Sequence, residues 1–143
     1  MKQVAVGILM KDGRTLVCQR KRTARYPLKW EFPGGKLEDS ESPENALVRE
    51  LREELWIEAV VGERLHEQEW VYEESVTDNH RDGAFKVFYF LVTSFSGTPT
   101  NNAFEQIRWV TPVELQSMDI LEGNKKAIDK LVKYAGRHET VGA

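Results

Sequence analysis

One cysteine in 143 residues, Cys18, leaves no partner for an internal disulfide and no thiolate set for zinc. It sits in the apolar run TLVCQ and reads as a buried strand residue rather than a nucleophile. Long hydrophobic runs are also missing, and none approaches the ~18 residues of a membrane span. The opening stretch MKQVAVGILMKDGR lacks a long apolar core and a small-residue cleavage site, so it reads as a strand rather than a signal peptide. A cytoplasmic location is expected. Charge of one sign is scarce: 20 Lys and Arg stand against 23 Asp and Glu, for a formal net charge of −3. Such a balance excludes a general attraction to long nucleic acid or an anionic membrane. A small anionic ligand would need a local basic patch or a metal ion. Histidine is nearly absent too, and His66, His80 and His138 all lie away from the acidic stretch discussed below.

What remains is the composition of a globular domain. Hydrophobic residues make up 41% and charged residues 30%, with six Phe, four Tyr and four Trp to fill a core. The length suits one domain over residues 1–143. There are no repeats, no low-complexity tracts and no linker. QVAVGILM and TLVCQR, joined by the turn KDGR, predict a hairpin over residues 3–20. KRTARYPLK is a basic loop, WEF a short extended piece, and PGGK a turn. IEAVVGERLHEQEWVYEES predicts one long strand or a hairpin, VTDNHRDGA a polar loop, and FKVFYFLVTSF a central strand covered on both sides. After the loop SGTPTNNAFEQ come a short strand IRWV and a short helix from Thr111-Pro112. NKKAIDKLVKYAG predicts a last helix, capped by Asn124 and ended by Gly136. Mixed strands and helices predict an α/β class with helices on both faces of the sheet.

The chemistry concentrates in WEFPGGKLEDSESPENALVRELREELWIEA, residues 30–59. Ser42 and Pro43 open a helix that runs to about Leu55. At ~100° per residue, Leu47, Val48, Leu51 and Leu55 share the core face. Glu50, Glu53 and Glu54 form a separate stripe pointing away from that core. Like charges at this spacing cost a helix roughly 0.2–0.5 kcal/mol per pair. A divalent cation would resolve the repulsion, and oxygen-only ligands favour Mg²⁺, Mn²⁺ or Ca²⁺ over zinc. A solvated face laced with pairs such as Arg49–Glu53 accounts for the same spacing, which alone leaves both readings open. Gly34 and Gly35, just upstream, permit a close backbone approach to a phosphate or a carbonyl aimed at a metal. Such a site suits phosphoryl transfer.

The stretch Gly35 to Ile57 resembles the signature of the Nudix hydrolases, G-x5-E-x7-R-E-U-x-E-E-x-G-U with U aliphatic. Gly35, Glu41, Arg49, Glu50, Leu51, Glu53, Glu54 and Ile57 match it. EFPGGK resembles the MutT-like branch, which cleans or trims nucleoside triphosphates. The resemblance implies an α/β/α sandwich around a mixed β-sheet and a Mg²⁺- or Mn²⁺-dependent pyrophosphohydrolase. It implies Glu50, Glu53, Glu54 and the Gly34 carbonyl as metal ligands. Arg49 is implied to orient the carboxylates through Glu41. The implied substrate-binding set is Arg20, Phe32, Gly34, Gly35, Lys36 and Asn124. Phe32 would line the base pocket, and Asn124 would read an oxidised guanine through an amide that both donates and accepts. The implied partner is a nucleoside triphosphate or another molecule with a nucleoside-linked diphosphate. Monomer and homodimer both fit.

Two positions depart from the pattern. Trp56 stands where the family has glycine, so the helix is expected to end differently or to continue by a turn. Ala103 stands where the branch often has a glutamate that serves as a further ligand or base. Glu105, two residues on, is the expected substitute, with Glu73, Glu74 and water as alternatives. The expected activity is cleavage of 8-oxo-dGTP to monophosphate and pyrophosphate. The rivals are a CTP/dCTP-type or generalist pyrophosphohydrolase and, from another class, a nucleotide-binding module without hydrolysis.

Overall fold

The computed structural model describes residues 1–71 and 84–142. Glu73, Glu74, His80, most of the loop expected over 76–84, and the side chain of His138 lie outside the described residues. The strands are β1 Lys2–Lys11, β2 Arg14–Gln19, β3 Trp30–Glu31, β4 Gly34–Lys36, β5 Glu58–Val60, β6 Arg64–Val71, β7 Ala84–Val92, β8 Ser94–Ser96 and β9 Gln106–Val110. The helices are α1 Pro43–Leu55, α2 Pro112–Leu115 and α3 Lys125–Gly142, with a 3₁₀ turn at Glu122–Asn124.

A sheet of seven strands runs β3-β2-β1-β7-β6, with β4 also paired to β1 and β9 to β2. It is mixed, because β1 and β7 are parallel while the other pairs are antiparallel. The apolar run of β1 serves both faces. Val6 and Ile8 pack toward α2 and α3 with Tyr89, Leu91, Leu115, Ala127, Ile128 and Leu131. Ala5 and Leu9 pack toward α1 with Leu47, Leu51, Leu55, Phe88, Phe90 and Val92. Alternate side chains of a strand point to opposite faces, so a strand buried on both sides must be apolar throughout. The result is the α/β/α sandwich, with β7 central as its sequence predicts.

Several local expectations need correction. PGGK is not a free turn, since Gly34–Lys36 pairs with Val4–Val6 of β1. IEAVVGERLHEQEWV is neither one strand nor a hairpin: β5 pairs with β8 in a separate two-stranded sheet, while β6 pairs with β7. Ala46 rather than Val48 completes the core face of α1; Val48 is only half-buried. Gly136 does not end the last helix, which continues to Gly142. Asn124 lies in the 3₁₀ turn before that helix, and its amide bonds to Leu121 and Tyr89.

Helix α1 opens as expected: the Ser42 hydroxyl accepts from the Asn45 N–H, and Pro43 follows. It also stops where the family pattern stops. Trp56 takes the glycine's left-handed conformation, φ 58° and ψ 37°, and its N–H donates to the Arg52 carbonyl. A non-glycine residue there costs about 1–2 kcal/mol, and the indole stays 63% exposed.

Candidate active site

Strand β4 lies beside α1, and the acidic stripe faces it. Gly34 has φ +151°, and a Cβ there would strike the Ala5 carbonyl oxygen and come within 2.8 Å of the Val6 Cα. Its N–H donates to Glu54 Oε1 at 3.0 Å. A Cβ on Gly35 would fall on the Glu50 carboxylate, 2.6 Å from Oε2. The two glycines thus let β4 sit against two glutamates of the helix. The stripe does not point wholly away from the core: Glu54 and Glu50 are tucked against β4, and Glu53 faces solvent.

Arg49 is the hub of this arrangement. Its Nε and Nη2 grip the Glu41 carboxylate, each at 2.8 Å. Nη1 donates to Glu50 at 3.0 Å and to Glu53 at 3.4 Å, and Nη2 also donates to the Lys36 carbonyl at 3.1 Å. A planar guanidinium with five donors can hold a strand carbonyl and three carboxylates at once, which an ammonium cannot. Hydrogen bonds from Arg49 and from the Glu38 N–H hold the Glu41 carboxyl down at about 2. Burial, followed by the charge of Glu50, pushes the Glu54 carboxyl up to about 8. Burial likewise raises Glu50, against the pull of Arg49.

The glutamate oxygens do not converge on one point as the spacing predicts. Among the described residues no three acidic, histidine or cysteine groups form a cation cluster. Arg49 reaches Glu50 and Glu53, and Glu54 turns to the Gly34 N–H. The donor set still suits a hard divalent ion. It is all oxygen, and two of its carboxyls resist ionisation through burial and the charge of neighbouring carboxylates, which a cation would relieve.

Next to the stripe lies a cleft of about 160 Å³ whose lining includes Gly34. Its floor is one sheet face: Val4 and Val6 of β1, Phe85, Val87 and Tyr89 of β7, and Trp70 of β6. Glu31, Phe32, Leu121, Gly123 and Asn124 complete its lining. The Phe32 ring stands edge-on to Tyr89, with centroids 6.4 Å apart. Phe32 is therefore both core and cleft wall. Leu121 is fixed by its N–H, which donates to the Trp30 carbonyl at 2.9 Å. Trp30 is buried packing under Arg108.

The remaining candidates divide. Arg20 stands behind the cleft, with Nη1 on Glu31 at 3.2 Å and Nε on the Arg25 carbonyl at 2.7 Å. Burial raises the Glu31 carboxyl, and Arg20 opposes that rise. Lys36 is exposed on β4, with Nζ 5.7 Å from the centre of the Phe85 ring. Glu105 is drawn to the basic loop: its carboxylate accepts from the Arg22 guanidinium at 3.0 Å and from the Arg22 N–H at 3.4 Å. Its N–H donates to the Gln19 carbonyl at 2.9 Å, so these bonds run to the end of β2 and the basic loop rather than to α1. Asn102, beside Ala103, instead ties that loop to the end of α1 through the Glu53 and Glu54 carbonyls. Cys18 is fully buried, as expected.

Sequence reasoning missed Glu31, Trp70 and Tyr89 as cleft residues. Glu31 had a signal, an acid between two aromatic residues in WEF. Trp70 and Tyr89 had none, because an apolar run does not say which residues border a cavity.

A profile of the NUDIX domain matches residues 1–131. A CTP pyrophosphohydrolase of Escherichia coli K12 is 36% identical over 117 residues, covering 80% of this chain and 78% of its own length. An 8-oxo-dGTP diphosphatase of the same strain is 32% identical over 130 residues, covering 90% and 95%. The solution structure of the E. coli ORF135 protein superposes with a TM-score of 0.80 at 30% identity, covering 93% of this chain and 89% of that one. Fold, glycine-backed acidic helix and sequence relatives agree: the chain belongs to the Nudix family, in its MutT-like branch, and is a hydrolase of phosphoanhydride bonds.

Proposed function

We propose that this protein hydrolyses a nucleoside triphosphate to the monophosphate and pyrophosphate, with an oxidised purine such as 8-oxo-dGTP as the preferred substrate. One observation carries the reading. Gly34 both lines the aromatic cleft and donates to Glu54, so a base held in the cleft directs its phosphates onto the acidic stripe. Glu50, Glu53 and Glu54, with the Gly34 carbonyl, would hold Mg²⁺ or Mn²⁺, which neutralises phosphate charge and acidifies bound water.

The chain's own residues do the rest. Phe32, Tyr89 and Trp70 give the base apolar walls. Asn124 presents an amide to the base edge, and Lys36 extends from β4 toward the phosphates. Arg49 and Glu41 keep the α1 carboxylates in register. Glu53, 58% exposed and paired with Arg49, is the carboxylate best placed to take a proton from water. Glu105 would serve as the base only after breaking its pair with Arg22.

A second reading has its own support. The Asn124 Nδ2 already donates to the Leu121 carbonyl at 3.2 Å, which weakens its capacity to read a purine. A cytidine triphosphate, the substrate in the name of one relative, then becomes the alternative. The test is Mg²⁺-dependent pyrophosphate release across ordinary and oxidised triphosphates, with Glu53→Gln as control. Release on 8-oxo-dGTP, lost in the variant, supports the first reading. Preference for CTP or dCTP moves the substrate. Binding without release across the panel overturns hydrolysis and leaves a binding module.

A further inference from the structure

The cleft wall that carries Asn124 is held by a side chain outside the cleft. On the inner face of β6, Gln68 Nε2 donates to the Gly123 carbonyl at 2.7 Å. The Tyr89 hydroxyl lies 3.2 Å from the same carbonyl and 3.4 Å from Asn124 Oδ1, so its single proton is shared between two acceptors. Gln68 therefore supplies the stronger tie. The wall has a second tie at Leu121, through the Trp30 carbonyl, but Gly123 and Asn124 lie beyond it.

The Gln68 amide is itself oriented. Its Oε1 lies 2.6 Å from His66 Nε2, and a flipped amide would face Gly123 with an oxygen. The bond requires His66 to carry its proton on Nε2. His66 Nδ1 is buried with no hydrogen-bond partner among the described residues, which suits an unprotonated nitrogen. The His66 ring also lies against Tyr89, tilted by 35° with centroids 5.6 Å apart, so it braces both donors. Burial favours the neutral ring against the pull of the Gln68 bond, and the charges of Lys130 and Lys126 on α3 add to that preference.

We propose that Gln68, oriented by His66, is a positioning residue for substrate selectivity: it pins Gly123 and so sets where Asn124 stands against the base. The proposal rests on the reading of the cleft as the base site. Gln68 bonds to His66 and Gly123, neither of them in the proposed phosphate-binding set, so its loss acts on recognition of the base rather than on bond cleavage.

The test is steady-state kinetics on the triphosphate panel with Gln68→Leu and Gln68→Glu. Leucine removes the donor but keeps the volume. Glutamate keeps the shape and the bond from His66 but turns an acceptor toward the Gly123 carbonyl. The expected result in both is a rise of about fivefold to tenfold in KM for the best nucleotide, roughly one lost hydrogen bond. The expected kcat stays within twofold, and discrimination among bases narrows. Tyr89→Phe should move KM the same way by less. An unchanged KM, or a fall in kcat shared equally by every nucleotide, overturns the proposal. Val87→Trp, which fills the cleft floor, separates the two claims. If it raises KM and the Gln68 variants do not, positioning fails alone; if none of them changes KM, the cleft reading itself fails.

Discussion

Glu54→Gln should stabilise the metal-free protein at alkaline pH, although Glu54 belongs to the proposed metal site. The wild-type carboxyl is pushed up to about 8 by burial and by Glu50, from an ordinary value of 4.5. Between those values the unfolded chain has released a proton that the folded chain still holds. Stability therefore falls as pH rises from 4.5 and levels off above 8. At about 1.36 kcal/mol per pH unit, the ceiling is about 5 kcal/mol above pH 8 and roughly 1 kcal/mol at pH 5.5. Water entering around the ionised group reduces this, and a difference of about 1–3 kcal/mol is expected. Glutamine cannot ionise, and its Oε1 can still accept from the Gly34 N–H, so the variant escapes the penalty and keeps that bond. The assay is urea unfolding with EDTA at pH 5.5 and 8.5. The variant should gain stability chiefly at pH 8.5. Adding Mg²⁺ should shrink or reverse that gain, because a ligand that binds the folded state stabilises the wild type more. No gain at pH 8.5, or an equal gain at both values, would refute the argument that Glu54 is strained by burial.

Gly35→Ala should leave thermal stability within about 1 kcal/mol, because the Glu50 side chain it meets can move, yet lower Mg²⁺-dependent turnover at least about tenfold by displacing that carboxylate. Gly34→Ala meets backbone instead, at Ala5 and Val6, and should cost about 3 kcal/mol or more on a urea curve. Equal effects of the two would contradict the packing described. Arg49→Lys keeps the charge but loses the two-pronged grip on Glu41 and at least one further contact. It should lose about 1–3 kcal/mol of stability and more than about tenfold in turnover, and near wild-type behaviour in both would remove Arg49 as the hub.

Local chemistry was legible where it decides local structure. Ser42-Pro43 started α1, Thr111-Pro112 started α2 with a capping box to Glu114, and the apolar run of β7 announced a strand buried on both faces. The acidic stripe and its two glycines were legible because their spacing is itself the requirement: three carboxylates on one helix and a backbone free of Cβ beside them. The end of α1 was not legible, because Trp56 in place of glycine led to the expectation of a different or later end. Trp56 accepts the left-handed turn because the chain must leave the helix toward β5, and packing of Leu51, Leu55 and Ile57 outweighs a local cost of about 1–2 kcal/mol.

Partners distant in the chain were not legible. No pattern in WEFPGGK says that Gly34–Lys36 pairs with β1, and propensity for a turn was overridden by that pairing. No spacing places Glu105 on Arg22, 83 residues away, rather than with the α1 glutamates. The bond from Gln68 to the Gly123 carbonyl spans 55 residues. Sequence by itself determined that three carboxylates share one helical stripe behind two glycines, since that follows from residue type and helical period. Tertiary structure alone decided how those groups are shared, because a carboxylate close to both a guanidinium and a backbone N–H is claimed by whichever the fold brings within hydrogen-bonding distance.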